Sequence, residues 1–386
     1  RQYQHQHQNE KKMATMSHHH DHRRRHAILA LLAATALAGS FLFASPNTEE
    51  AHSGRRQLKK AKAPKLPKLA KPAQRGSFAD PKTVVPKTVV PKAAAAAGGP
   101  NVVYLQHESL SGSIALHTAE GVKSMPFFQD RMAHDPDLYV FEHVRAASGI
   151  TLDAMPALMT GCMPYTPDAL QWVQAPGRSV GYDFRRRGYR TASFSSRKLD
   201  YTIKTGAWKV MYDMLVGSMD KVVDPLSKKW PQDNEEGTDD RRMLPLFEEW
   251  LRELAEDPSR PFYAQMYNFN QHYPYMKKEG APKSTERYYQ SLTTTDEFLQ
   301  LLFEILDKTG RLQNTIIVGS GDHGEEPFKK TTYARLRALN SNILQPVSYI
   351  YYPRHLLPDP SVAVRLRSNT QRLVHTLDLY QTVHGI

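Results

Sequence analysis

From Asn101 onward the chain alternates short apolar runs with stretches of helical periodicity, and that alternation limits the possible folds more than any other feature. NVVYLQ, LYVFEHV, YRTASFSS, PFYAQMYNFN, NTIIVGSG and PVSYIYYP are rich in β-branched and aromatic residues and read as strands. Between them, helical patterns run over residues 122–132, 179–187, 241–255, 285–307 and 369–383. Strands that alternate with helices predict an α/β fold: a mostly parallel central sheet with helices on both faces. In such sheets ligands bind outside the carboxyl ends of the strands. The residues that follow each apolar run are therefore the first candidates for a site.

Two of those positions carry chemistry. NVVYLQ is followed by His107, Glu108 and Ser109, and NTIIVGSG runs into Asp322, His323, Gly324 and Glu325. If the two strands are close, Glu108, Asp322 and His323 meet at one edge. Two carboxylates and an imidazole suit a divalent cation such as Zn²⁺ or Mn²⁺. A hydroxyl at a helix start would complete the set, and SGITLDAMPALMTG offers Thr151 at the head of a short apolar helix. A threonine hydroxyl is a weak nucleophile at neutral pH, and a coordinated metal lowers its pKa. A helix N-terminus beside it turns backbone N–H groups toward an anion. Phosphate or sulfate esters fit that arrangement. Asp153 is expected to cap the helix. Arg197 and Lys198, after YRTASF, and Lys329 and Lys330, after the Asp322 loop, are candidate contacts to an anionic substrate.

Together these segments resemble the sulfatase domain of the alkaline phosphatase superfamily over essentially all of residues 101–386. GSGDHGE and NVVYLQHES match its two metal-binding strand ends. The family's nucleophile motif, C-x-P-S-R-x-x-L-L-T-G, places its nucleophile ten residues before the last glycine, and counting back from Gly161 gives Thr151. A threonine, with Met155 at the arginine position, is more similar to the threonine-using branches: lipoteichoic acid synthases, phosphoethanolamine transferases and nucleotide pyrophosphatase/phosphodiesterases. The resemblance implies that Glu108, Thr151, Asp322 and His323 bind one divalent metal ion, Zn²⁺ or Mn²⁺ before Ca²⁺. It also implies that Thr151 is transiently esterified and that His272, in NFNQHYPY, contacts the substrate or leaving group. Two-metal relatives carry an Asp-x-x-x-His pair where this chain has Asn268 and His272, so one metal is expected. The family domain normally continues into a smaller C-terminal part beyond the point where this chain ends.

The N-terminal quarter reads differently. Residues 53–92 hold twelve Lys or Arg against one Asp, and residues 1–52 hold six against four. Of a net charge of +12, almost nothing remains for residues 93–386. The part with strand and helix patterns thus has no electrostatic footprint for nucleic acid. Residues 1–26 read as a disordered cytoplasmic head. Three arginines precede the uncharged residues 27–44, a signal anchor or a signal peptide whose length favours the anchor. That orientation would make a single-pass type II membrane protein with a lumenal or extracellular domain, or, if the segment is cleaved, a secreted one. Residues 45–100, rich in Lys, Pro and Ala, read as an extended stem. One cysteine, Cys162, excludes an intrachain disulfide, and a buried structural role is expected for it.

Two classes of function remain. One is a metal-dependent hydrolase or transferase of phosphate esters, with sulfuric ester hydrolysis as the alternative. The other is a membrane-tethered, catalytically inactive protein that binds anionic ligands on the same scaffold.

Overall fold

Val102, Val103, Tyr104 and Leu105 are all fully buried, because their strand is covered on both faces. The computed structural model describes residues 98–163, 179–199, 219–230, 237–275, 284–328 and 340–386. The head, the apolar segment 27–44, nearly all of the stem, and Lys329 and Lys330 lie outside them.

The strands are β1 (Asn101–His107), β2 (Leu138–Val140), β3 (His143–Arg145), β4 (Arg190–Ser195), β5 (Lys221–Val223), β6 (Phe262–Asn268), β7 (Thr315–Gly321), β8 (Ser348–Tyr351) and β9 (Leu373–His375). Seven form one sheet in the order β2-β8-β7-β1-β6-β4-β5, and β3 pairs with β9 in a separate two-stranded ribbon. Strands β7, β1, β6, β4 and β5 are mutually parallel, and β8 runs antiparallel to both β7 and β2. The longer helices are α1 (Pro126–His134), α2 (Thr151–Thr160), α3 (Val180–Arg186), α4 (Met243–Glu253), α5 (Ser284–Lys308), α6 (Pro360–Asn369) and α7 (Thr376–Gly385).

Strand alternation divides the core into two layers. Val103 and Leu105 of β1 join Phe262, Ala264 and Met266 of β6 in a layer capped by Phe247 and Trp250 of α4 and by Phe298 and Leu302 of α5. Val102 and Tyr104 face the other way, onto Val180 and Phe184 of α3 and Leu379 and Val383 of α7. Burying each such side chain contributes about 1.5–3 kcal/mol. The expected α/β architecture is thus the observed one.

Three boundaries differ from expectation. LYVFEHV is split into β2 and β3, since the chain leaves the main sheet at Phe141 and Glu142 to meet β9. The helical pattern over 369–383 is divided: Asn369 ends α6, β9 follows, and α7 starts at Thr376. The pattern over 122–132 is broken at Met125, because Pro126 lacks the N–H a continuous helix needs and instead starts α1.

Candidate functional site

The site grows from the central pair of the sheet. The β1 ladder continues one residue past the strand, where Glu108 N–H donates to the Asn268 carbonyl at 2.8 Å. On its other side Asp322 N–H donates to the His107 carbonyl at 3.0 Å. Glu108 and Asp322 are thereby fixed at adjacent strand ends, both fully buried. Asp322 Oδ1 accepts the N–H groups of Ser109 at 3.0 Å and His323 at 2.7 Å. Its Oδ2 is buried with no hydrogen-bond partner. One donor atom from each of Glu108, Asp322 and His323 can be chosen so that all lie within 4.8 Å of one another.

Helix α2 brings the hydroxyl. Its N-cap is Ile150, which offers no side-chain cap, so Thr151 is the first helical residue and its side chain is free for other work. Thr151 Oγ1 donates to Glu108 Oε1 at 2.5 Å and lies 3.1 Å from His323 Nε2. Asp153 does not cap the helix as expected; its Oδ2 accepts the Ser148 hydroxyl at 3.3 Å. His323 Nδ1 lies 2.6 Å from the Gly324 carbonyl, which can only accept. The Nδ1 proton is therefore held there, and in the neutral ring the Nε2 lone pair faces Thr151.

Electrostatics reflect the crowding. Burial, and then the Glu108 charge, pushes the Asp322 carboxyl up to about 7. Burial would also raise Glu108, but His272, His323 and Arg197 together hold it below the usual carboxylate value. Burial lowers the His323 imidazole, and the Asp322 and Glu108 carboxylates more than reverse that.

The structure therefore brings Glu108, Thr151, Asp322 and His323 together and sets His272 and Arg197 close enough to act on Glu108 by charge. His272 is half-buried in the turn after β6, where its N–H donates to the Phe269 carbonyl at 3.1 Å. Arg197 and Lys198 follow β4, both half-buried. Lys329 lies outside the described residues. Asn268 is turned to the sheet face opposite Tyr267, and both its side-chain polar atoms are buried without a hydrogen-bond partner. Among the described residues, Glu108, Asp322 and His323 form the one cluster with metal-ligand geometry. Cys162 is half-buried rather than buried, against the core under α2.

Sequence reasoning missed Tyr267, whose buried hydroxyl donates to Glu108 Oε2. It shares its sheet face with Tyr263 and Gln265, and that polar stripe inside an apolar strand was the available signal. Asp240, another fully buried carboxylate, was also missed, since nothing local separates it from Asp239.

The sulfatase family model matches residues 100–384. A curated relative, lipoteichoic acid synthase 2 of Bacillus subtilis, is 26% identical over 242 residues. That alignment covers 59% of this chain but only 36% of the relative's length. The C-terminal periplasmic domain of EcEptC from Escherichia coli, solved in complex with Zn, is 16% identical, covers 75% of this chain and 85% of that one, and superposes with a TM-score of 0.56. The soluble domain of lipooligosaccharide phosphoethanolamine transferase A from Neisseria meningitidis is 14% identical, with 76% and 89% coverage and a TM-score of 0.54. At these identities the two structural likenesses establish the fold.

Proposed function

Because the chain belongs to the sulfatase family, we propose that it is a metal-dependent hydrolase or transferase of phosphate esters working through a covalent Thr151 intermediate. One observation carries the reading: the Thr151 hydroxyl, at an uncapped helix start, sits within hydrogen-bond distance of Glu108 and His323 in a buried cluster with Asp322.

The residues fit a divalent cation. Two fully buried carboxylates side by side are costly unless a positive charge compensates them, and Asp322 Oδ2 accepts no hydrogen bond, with His323 Nε2 3.7 Å away. Glu108, Asp322, His323 and Thr151 would hold the ion, with Zn²⁺ or Mn²⁺ ahead of Ca²⁺ because an imidazole is in the set. When bound, it would lower the pKa of the Thr151 hydroxyl and offset anionic charge on the substrate.

The protein groups supply the rest. Glu108 Oε1, a carboxylate oxygen with a second lone pair, is an acceptor in reach of the Thr151 proton. Oγ1 attacks phosphorus, the Oγ1–P bond forms as the bond to the leaving alkoxide breaks, and His272 gives that alkoxide its proton. In the second half, water or an acceptor hydroxyl gives its proton to His272 and attacks phosphorus, the Oγ1–P bond breaks and Thr151 recovers its proton. Arg197, with Lys198, contributes positive charge toward the non-bridging oxygens. First-turn N–H groups of α2 favour the same anion.

Residues 101–386 form the catalytic domain in this reading. Residues 45–100 are its stem and 27–44 its membrane anchor, with the domain lumenal or extracellular and a lipid or glycan headgroup ester as substrate. The relatives' names support that setting, as does the arginine cluster before residue 27. Among the described residues no helix is long and apolar enough to cross a membrane.

The test is a paired assay of an aryl phosphodiester and an aryl sulfate with Zn²⁺, Mn²⁺ or Ca²⁺. Metal-dependent phosphodiester turnover is expected, falling at least about a thousandfold in Thr151→Ala. Turnover of the sulfate alone would move the assignment to sulfuric ester hydrolysis. Undiminished activity in Thr151→Ala would remove the covalent step. Metal binding without turnover of either ester would point to a binding protein on this scaffold.

A further inference from the structure

Away from Glu108 and Asp322 lies another fully buried carboxylate that the mechanism does not use. Asp240 is 0% exposed. Its Oδ1 accepts the Ser196 hydroxyl at 2.5 Å and the Phe269 N–H at 2.7 Å, and Oδ2 accepts the Asn270 N–H at 3.3 Å. Its own N–H donates to Asn270 Oδ1 at 3.1 Å. Ser196 follows β4, whereas Phe269 and Asn270 follow β6, so one side chain fastens two neighbouring strand ends. Thr238 N–H, two residues before Asp240, closes the knot on the Ser196 carbonyl at 2.9 Å.

Phe269 carries the consequence toward the pocket. Its ring stacks on the His272 imidazole with centroids 4.4 Å apart and planes 17° apart. The Arg197 guanidinium carbon lies 5.2 Å from the centroid of the same ring. Gly237 leaves room for that ring, since a Cβ there would come within 2.5 Å of Phe269 Cδ1. His272 and Arg197 both sit beyond the ends of their strands, Arg197 in an isolated antiparallel bridge with Gly237 and His272 in a turn on the Phe269 carbonyl. Each acts on the charge of Glu108.

We propose that Asp240 is a positioning residue, fixing the Phe269 ring and through it holding His272 and Arg197 where they address the reacting phosphoryl group. The inference rests on the phosphoester reading above and adds to it the device that orders the substrate-facing cations. The physical warrant is directionality. A buried carboxyl group that accepts two backbone N–H groups and a hydroxyl in a dry interior holds them more tightly than solvent-exposed bonds would. Small misplacements of a catalytic group are expensive in rate.

The test is a cycle on the full-length, Zn²⁺-loaded chain with an aryl phosphodiester. Asp240→Asn is made in the native background and in His272→Ala, with kcat and KM measured in each and folding followed by circular dichroism. The expected result is a roughly ten- to hundredfold fall in kcat in the native background, with KM changed far less. In His272→Ala, which has already lost a group Asp240 positions, the same substitution should cost about twofold or less. A purely structural knot would lower both backgrounds by the same factor, and that result, or an unchanged kcat, overturns the proposal. If Asp240→Asn does not fold, Phe269→Leu replaces it, with the same pattern expected and the same results overturning it. Native protein without metal-dependent turnover would instead sink the phosphoester reading itself, which separates the two failures.

Discussion

Tyr267 shows how much a single hydroxyl can govern at this site. Burial, and then the Glu108 charge, pushes its phenol well above the ordinary value, so it stays protonated and donates to Glu108. Tyr267→Phe keeps the buried ring and removes only that bond. The expected outcome is a roughly ten- to hundredfold loss in Zn²⁺ affinity by competition titration, with the fold retained. Asp240 makes a prediction of a different kind. Burial first, and the neighbouring Asp239 charge in part, pushes its carboxyl from 3.8 up to about 7, against the pull of the Ser196, Phe269 and Asn270 bonds. Between those values the unfolded chain gives up a proton that the folded chain keeps. The unfolded state then binds fewer protons, so this group's contribution to stability is greatest at low pH and declines as pH rises toward 7. The slope is at most about 1.4 kcal/mol per pH unit. Urea unfolding from pH 4 to 8 should show a flatter profile for Asp240→Asn than for the native chain, and parallel profiles would refute the assignment.

The element that matters most is α2, and its two ends show what a sequence can reveal. Gly161 closes the helix in the left-handed region, at φ 67°, with its N–H donating to the Ala157 carbonyl at 2.8 Å. A Cβ there would lie 2.4 Å from the Tyr380 ring of α7. Gly161→Ala therefore meets both backbone strain and a clash, and should cost about 1–3 kcal/mol in chemical denaturation. A change within a few tenths of a kcal/mol would mean that Tyr380 yields freely. The glycine stop and the hydroxyl at the head were legible because both are local signals. So were β1 and β7, whose continuous apolar runs end in charged residues. What could not be read was long-range. β3 and β9 are three residues each and pair across more than two hundred positions, so no local pattern marks them. The two carboxylates of Asp239 and Asp240 look alike in sequence, yet only the second is fully buried, because the first faces Arg241 at the surface. Asn268 could be placed beside His272 only by analogy, whereas strand parity turns it away.

At the scale of the molecule, charge is segregated: a basic N-terminal segment precedes a domain near neutrality, which in turn concentrates two buried carboxylates at its centre. An ion bound only in the folded state stabilises by mass action, by about 2.7 kcal/mol at one hundred times its dissociation constant. Stripping metal with a chelator should therefore lower Tm by several degrees, and restoring Zn²⁺ should return it. A melting curve indifferent to both treatments would argue against the cluster as a cation site. Connectivity adds a constraint on timing. The segment that delivers Thr151 is held by elements made much later: β3 is paired by β9, Ala147 N–H rests on the Thr376 hydroxyl at 3.1 Å, and α7 packs along α2. A ribosome must therefore finish residues 373–385 before the hydroxyl acquires its cradle. The growing chain would carry its metal-binding strands for some time without a nucleophile in place, so reactivity arrives only once β9 and α7 have been made and docked.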